Sequence, residues 1–141
     1  MFALNGRIIV QETQDAVNGL AQGARLSSFE AEAYMAQTIT AAELKAKIDR
    51  GDQFHLVETL LPREYEKWHL PGAINIHFNK IGKESRERFE KDDEIVVYCH
   101  DEECNASPIA AKKLESMGYN HVYEFSGGKK AWKEAGYPVD E

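Results

Sequence analysis

The stretch that decides the fold is IVVYCHDEECNASPIAAKKLESMG, which runs from Ile95 to Gly118. It opens with an uninterrupted, largely β-branched apolar run, as expected of a strand that is buried on both faces of a sheet. Cys99 ends this strand and opens a loop. Ser107 and Pro108 then begin a helix, whose apolar residues follow helical spacing until Gly118. The sequence therefore predicts a strand, a cysteine-containing loop and a helix in succession.

The same alternation of strands and helices continues on both sides of this stretch. Apolar runs indicate further strands at 54–57, 73–76 and 122–125, and helical patterns cover 41–50, 62–68, 80–90 and 129–135. Thr40 and Glu43 form a capping box that opens the first of these helices, and Gly51 ends it. Four or five short strands alternating with helices predict an α/β domain with a mainly parallel sheet, because each crossover carries a helix across a sheet face. In such folds ligands bind beyond the carboxyl ends of the strands, and Cys99 lies at such an end.

Length and charge restrict the class of protein. The 141 residues are enough for one core, and the net charge of −7 repels phosphate backbones and anionic lipid headgroups. No apolar run approaches the ~20 residues that cross a bilayer, and no signal-peptide core is found. We therefore expect no nucleic-acid partner and no membrane partner. The two cysteines are too close in sequence to staple a secreted scaffold, which favours a reducing cytoplasm.

The residues before the domain form a separate segment in this interpretation. Residues 12–36 are rich in Ala, Gln and Glu with apolar residues at helical spacing, and Gly23 interrupts them. We therefore divide the chain into a helical extension at 1–38 and a domain at 39–141. The apolar stripe of the extension needs a surface to cover, so we expect a homodimer formed through these helices.

Two stretches of the domain resemble the signatures of the rhodanese-like domain family. The first is LVETLLPREYEKWHLPGAINI from Leu56 to Ile76, which matches the usual LVDVREPEEYxxGHIPGAINI without a gap. The second begins with VVYC, which ends at Cys99, and continues with AAKKLESMGYNHVYEFSGGKKAWKEAGYPV from Ala110 to Val139. The resemblance implies a three-layer α/β/α fold with about five strands. It also implies that the cysteine at the end of the central strand is the nucleophile of a sulfurtransferase.

The sequence departs from the family pattern at two places that bear on function. The usual Asp-Val-Arg is Glu58-Thr59-Leu60, so its arginine is missing. The usual cysteine loop, C-x-x-x-x-R-S, is CHDEECNAS from Cys99 to Ser107, about two residues longer, without arginine and with three consecutive acids. The missing arginine argues against the phosphatase activity of related folds.

The reactivity of Cys99 depends on whether backbone donors stabilise the thiolate more than the acidic side chains of the loop destabilise it. The resemblance implies that backbone N–H groups and the positive end of the following helix face the sulfur of Cys99. Such a cradle stabilises a thiolate or persulfide, because free cysteine with a pKa of ~8.5 is mostly protonated at neutral pH. The acids oppose it: at roughly 7 Å each disfavours the thiolate by about 0.6 to 2 kcal/mol. We therefore expect anionic donors such as thiosulfate to be poorer substrates than protein persulfides or neutral thiols.

The residue pattern alone leaves Cys99 and Cys104 as metal ligands, inert core thiols or reactive thiols. No recognised ligand spacing accompanies them, and we expect neither a metal nor a cofactor. Cys104 is either a resolving thiol or a spectator. His69 is expected to fix a turn by hydrogen bonding, and Ser107 to cap the following helix. The candidate substrate-binding residues of the loop are His100, Asp101, Glu102, Glu103, Asn105, Ala106 and Ser107.

Two functions follow from these observations. The leading one is a sulfurtransferase or persulfide carrier, in which Cys99 takes sulfane sulfur from a small donor or a persulfide carrier protein and passes it to a thiol or cyanide. The alternative is a catalytically weak rhodanese-like module for partner binding or redox sensing. The acidic, arginine-free loop favours the alternative.

Overall fold

The computed structural model describes residues 37–141, and its centre is a sheet of five strands. The strands are β1 (Gln37–Thr38), β2 (His55–Glu58), β3 (Ile74–Asn75), β4 (Glu94–Tyr98) and β5 (His121–Phe125). They lie in the order β1-β5-β4-β2-β3, and every neighbouring pair is parallel. The predicted α/β fold with a parallel sheet is confirmed, and the strand that precedes Cys99 lies at its centre.

Helices cover both faces of this sheet. They are α1 (Ala41–Arg50), α2 (Pro62–Lys67), α3 (Ile81–Arg88), α4 (Ala106–Ser116) and α5 (Gly128–Glu134), with a 3-10 turn at Phe78–Lys80 before α3. Side chains of α3 and α4 pack on one face of the sheet, and side chains of α1 and α5 pack on the other. The result is the three-layer α/β/α architecture that the resemblance implies.

Strand β4 shows why this sequence forms a sheet that is buried on both faces. The four side chains from Ile95 to Tyr98 are 0% exposed. Ile95 and Val97 belong to the apolar cluster under α3 and α4, and Val96 and Tyr98 belong to the cluster under α1 and α5. Successive side chains of a strand point to opposite faces, so an uninterrupted apolar run supplies both clusters.

The limits of α1 are set by the local signals that the sequence carries. The hydroxyl of Thr40 accepts a hydrogen bond from the N–H of Glu43 at 3.1 Å, and the Glu43 carboxylate accepts one from the N–H of Thr40 at 2.9 Å. This is the predicted capping box. Gly51 ends the helix at φ 75°, a left-handed conformation in which glycine has no Cβ to clash.

Two elements differ from the sequence prediction. Gln37–Thr38 is an edge strand that pairs with β5, whereas the sequence analysis assigns these residues to the helical extension. A strand of two residues is too short to show a periodic pattern in the sequence. Helix α4 begins at Ala106, and Asn105 occupies the N-cap position without a side-chain hydrogen bond. Ser107 therefore lies inside the first turn, and the prediction that it caps the helix is wrong.

The predicted helical extension lies outside the described residues, apart from its last two positions, and so does the predicted dimer contact. The division of the chain at residue 38 stays a prediction. Within residues 37–141, no helix combines the length and the apolar character that crossing a membrane requires.

Candidate active site at the carboxyl end of the central strand

Cys99 follows the last residue of β4 and is 1% exposed. Leu60 and Ala106 form a small buried cluster with it, and Phe78 and Cys104 pack against this cluster. The thiol therefore lies at the edge of the sheet where the fold predicts ligand binding, but in largely apolar surroundings.

The three residues that replace Asp-Val-Arg all contact Cys99 or the strand that ends at it. Leu60 packs against Cys99, and the hydroxyl of Thr59 donates to the Tyr98 carbonyl at 3.0 Å. The Glu58 carboxylate accepts from the Tyr98 hydroxyl at 2.9 Å. Leu60 stands where the family pattern has arginine, so hydrocarbon rather than a positive charge lies beside the thiol.

The start of α5 holds the backbone of the cysteine loop. The N–H of Lys129 donates to the Cys99 carbonyl at 2.9 Å, and the N–H of Lys130 donates to the His100 carbonyl at 2.8 Å. Gly128 has φ 61°, and a Cβ there would lie 2.4 Å from the Cys99 carbonyl oxygen. Only glycine allows this approach, which explains the second glycine of the Gly-Gly pair.

The loop itself is tightened around Asp101. Its carboxylate accepts from the N–H of Glu103 at 3.0 Å, and its carbonyl accepts from the N–H of Cys104 at 3.2 Å. These two amides lie within the stretch that the resemblance implies should face the sulfur. They are instead used inside the loop: the Asp101 carboxylate accepts from the amide two residues later, and its carbonyl accepts from the amide three residues later, as in a turn.

Ser107 supplies the polar groups that face the sulfur. Its hydroxyl oxygen lies 3.3 Å from Cys99 Sγ, and its N–H also stabilises the thiolate. Its hydroxyl donates to the Glu124 carboxylate in β5 at 3.1 Å. Sequence analysis missed Glu124, because nothing in a strand sequence shows that it lies beside the first turn of α4.

The balance of these contacts disfavours the thiolate. Burial is the largest cause, the Cys104 thiol adds to it, and together they raise the pKa of Cys99 to about 11, although the contacts with Ser107 lower it. The neutral thiol is therefore the prevailing form of Cys99 at neutral pH. The predicted activation by loop amides is therefore not achieved in this conformation.

Cys104 is half-buried and lies beside Cys99, and both cysteines are free. The pair is the one that the sequence proposes as nucleophile and resolving thiol. No group of three His, Cys, Asp or Glu side chains within residues 37–141 is arranged to hold a metal ion.

A buried ion pair that the sequence analysis did not anticipate lies next to the site. Glu58 is fully buried, and one of its oxygens is 3.1 Å from the Lys129 ammonium. That oxygen has no hydrogen bond of good geometry, so the contact is chiefly one of charge. The ammonium also donates to the Glu64 carbonyl at 2.8 Å. Burial raises the pKa of Glu58, and Lys129 and the Tyr98 hydroxyl offset part of this increase.

The acidic residues of the loop lie on one side of it. Glu102 and Glu103 are exposed and line a surface hollow with Asp101. Lys130 and Glu134 of α5 form the opposite wall of the same hollow.

A second hollow beside the loop is lined by several lysines. His100 is exposed, and its Nε2 lies 3.7 Å from a Glu64 oxygen. It lines this second hollow with Trp68, Lys67 and Lys133, among other residues. Asp101 and Lys130 line both hollows, so side chains of both signs surround the loop, which the loop sequence alone does not indicate.

His69 has the structural role that the sequence predicts. Its Nδ1 lies 2.9 Å from the Tyr65 carbonyl oxygen, and its ring stacks on the Tyr65 ring at a centroid distance of 3.8 Å. The prediction that His69 fixes a turn by hydrogen bonding is confirmed.

This fold, with a cysteine at the end of the central parallel strand, defines a class of protein. The family model of the rhodanese-like domain matches residues 40–135, and the chain belongs to that family. Among solved structures, it is similar to the BH2092 protein of Bacillus halodurans, with a TM-score of 0.70 and 26% identity. That likeness covers 84% of this chain and 86% of the other.

Three curated proteins resemble the chain in sequence. The "HTH-type transcriptional regulator Rv0324" of Mycobacterium tuberculosis is 35% identical over 73% of this chain, which spans 44% of that protein. The "Putative sulfur carrier protein YrkF" of Bacillus subtilis is 28% identical over 67% of this chain, which spans 49% of that protein. The "Adenylyltransferase and sulfurtransferase UBA4" of Candida albicans is 36% identical over 57% of this chain, which spans 20% of that protein. The chain thus spans less than half the length of each of these relatives.

Proposed function

We propose that this protein is a sulfurtransferase or persulfide carrier that moves sulfane sulfur through a persulfide on Cys99. The observation that carries the proposal is the position of this thiol, at the carboxyl end of β4 with the polar groups of Ser107 facing it. Membership of the rhodanese-like family supports it, as do relatives named as a sulfur carrier and a sulfurtransferase.

Uptake of sulfur begins with loss of the Cys99 proton. The thiolate attacks the outer sulfur of a donor persulfide, a new S–S bond forms at Cys99, and the donor S–S bond breaks to release the donor thiolate. Because Cys99 is 1% exposed, a donor reaches the sulfur only after the groups packed on it, Cys104 among them, move aside. The remaining loop residues from His100 to Ser107 then border the bound donor.

Delivery follows one of two balanced routes. An acceptor thiolate or cyanide attacks the outer sulfur and takes it away, which restores the Cys99 thiolate. Alternatively, the Cys104 thiolate attacks Cys99 Sγ, forms a disulfide and releases hydrosulfide, so that two cysteines are oxidised as the sulfane sulfur is reduced. The contact between the two thiols supports the second route.

A second candidate is a rhodanese-like module that binds a partner or senses redox state with little catalysis. The raised pKa and low exposure of Cys99 favour it, since both slow attack by the thiol. The regulator among the relatives is consistent with a module of this kind.

Turnover separates these candidates. Wild type and Cys99→Ser are assayed for transfer of sulfur to cyanide from thiosulfate and, separately, from a protein persulfide. Cys99-dependent turnover with either donor supports the sulfurtransferase, and we expect more with the persulfide. Equal, background rates for wild type and Cys99→Ser with every donor would leave the module as the function.

Cys104→Ser tests the resolving role. If Cys104 resolves the persulfide, this variant retains extra sulfur on Cys99 for longer and releases hydrosulfide more slowly than wild type. Equal rates of hydrosulfide release in the two proteins would make Cys104 a spectator.

A further inference from the structure

Ser107 connects the Cys99 thiol to a carboxylate in the neighbouring strand. Its hydroxyl oxygen lies 3.3 Å from Cys99 Sγ and 3.1 Å from Glu124 Oε2, and the Ser107 side chain is almost fully buried. The three residues come from the end of β4, the first turn of α4 and β5, so the tertiary fold alone brings them together.

The direction of this hydrogen-bond chain follows from its chemistry. A serine hydroxyl has one proton, and an ionised carboxylate can only accept. The Ser107 proton therefore lies towards Glu124, because hydrogen bonds to a charged acceptor are the stronger ones. The oxygen then presents a lone pair to Cys99, and the thiol S–H becomes the donor to Ser107.

We propose that Glu124 is a positioning residue that turns the Ser107 hydroxyl away from Cys99 and so keeps Cys99 in its neutral thiol form. The inference rests on the proposed function only in taking Cys99 as the sulfur-carrying residue. A thiolate or persulfide anion at Cys99 is stabilised when the Ser107 proton turns towards sulfur. Glu124 competes for that proton, and its removal therefore increases the reactivity of the thiol.

Of the other ionisable groups of the site, Cys104 acts on the thiol, and Asp101 and Lys129 belong to the loop and to the start of α5. No hydrogen bond joins any of these side chains to the Ser107 hydroxyl in the part of the chain that the structure describes. The Lys129 ammonium is paired with Glu58, and Asp101 accepts from loop amides. The hydroxyl is therefore oriented by Glu124.

The test measures the reactivity of Cys99 in the full chain with Cys104→Ser, so that one thiol remains. Rates of alkylation by iodoacetamide and the ultraviolet absorbance of the thiolate are followed against pH. We expect Glu124→Ala to alkylate about ten times faster at pH 7, which corresponds to one unit in pKa, and Glu124→Gln, whose neutral amide oxygen is a weaker acceptor for the Ser107 proton, to show a smaller gain. Glutamine keeps the size of the side chain, and alanine removes the acceptor completely. Far-ultraviolet circular dichroism checks that each variant is folded.

Matched variants separate orientation from charge. Glu134→Gln removes an exposed carboxylate from α5 and should leave the rate within about twofold, because solvent and salt screen exposed charges. In a protein that also carries Ser107→Ala, removal of the Glu124 carboxylate should increase the rate of Cys99 alkylation much less than tenfold, because no hydroxyl remains that could turn towards the sulfur. The same gain with and without Ser107, or no gain in either Glu124 variant, would overturn the inference.

This outcome is independent of sulfur transfer. A faster Glu124→Gln thiol with no Cys99-dependent turnover would overturn the proposed function and leave the inference intact. Sulfur transfer that depends on Cys99, with a rate of alkylation that the Glu124 variants do not change, would support the proposed function and overturn the inference.

Discussion

Burial and hydrogen bonding act on Cys99 in opposite directions. Burial against Leu60 and Ala106, with the Cys104 thiol alongside, raises the pKa to about 11, and the contacts with Ser107 lower it. The sequence places the cysteine correctly at a strand end. It does not give the sign of the shift, because that depends on where the loop amides point, and Asp101 uses two of them.

The raised pKa makes the pH dependence of alkylation a direct prediction. The thiolate is the reacting form, so the rate of Cys99 alkylation in Cys104→Ser should rise about tenfold for each pH unit between 7 and 9. Burial, the larger cause of the shift, remains in this variant. The same protein unfolded in urea is the control and should level off near the ordinary pKa of ~8.5. A plateau of the folded protein at or below pH 9 would contradict the raised pKa of Cys99.

The Glu58–Lys129 pair gives a prediction about stability. Lys129→Met leaves a fully buried carboxylate without its counter-charge, which should lower the free energy of unfolding by about 3–5 kcal/mol in urea titrations. The matched control is the exposed neighbour Lys130. Lys130→Met should change the free energy of unfolding by no more than about 0.5 kcal/mol. The double variant Glu58→Gln/Lys129→Met should recover much of the loss. Equal effects of the two lysine variants would mean that the ion pair contributes nothing.

At the scale of elements, sequence signals that lie within a few residues predict helices and strands, but they do not predict contacts between residues far apart in the chain. The apolar run of β4 and the capping box of α1 each lie within a few residues and predict their elements well. The edge strand Gln37–Thr38 is too short to carry a pattern. The contacts of Ser107 with β5 and of Glu58 with α5 join residues far apart in sequence, and only the assembled sheet shows them.

The junction between α5 and the cysteine loop depends on Gly128. Gly128→Ala should destabilise the protein by roughly 2–5 kcal/mol, because it adds left-handed strain to a clash with the Cys99 carbonyl. Gly136→Ala is the control: its φ is 77°, but no atom lies within 4 Å of the added Cβ, so only the strain of about 1–2 kcal/mol remains. Similar urea midpoints for the two variants would show that the close approach to Cys99 is not needed.

At the scale of the whole molecule, side chains of both signs surround the site. The loop carboxylates line one hollow with Lys130, and several lysines line a second hollow with Glu64 and Asp101. We therefore expect the repulsion of anionic donors to be weaker than the loop sequence alone predicts. The overall charge of −7 still favours a neutral or basic donor over thiosulfate at low salt.

The predicted homodimer is a property of the chain as a whole. A variant that lacks residues 1–36 keeps every strand of the described sheet, and we expect it to be a monomer when the full chain is a dimer. Light scattering at several concentrations measures both masses. An unchanged oligomeric state after truncation would end the prediction that the N-terminal helices form the contact.

The central claim is that Cys99 carries sulfur, and mass spectrometry of the intact and digested protein tests it most directly. After treatment with a protein persulfide and blocking of free thiols, wild type should gain the mass of one sulfur atom, assigned to Cys99 rather than Cys104 by fragmentation of the peptide that contains both cysteines, and Cys99→Ser should gain none. Label that persists in Cys99→Ser, or maps to Cys104 in wild type, would contradict the assignment.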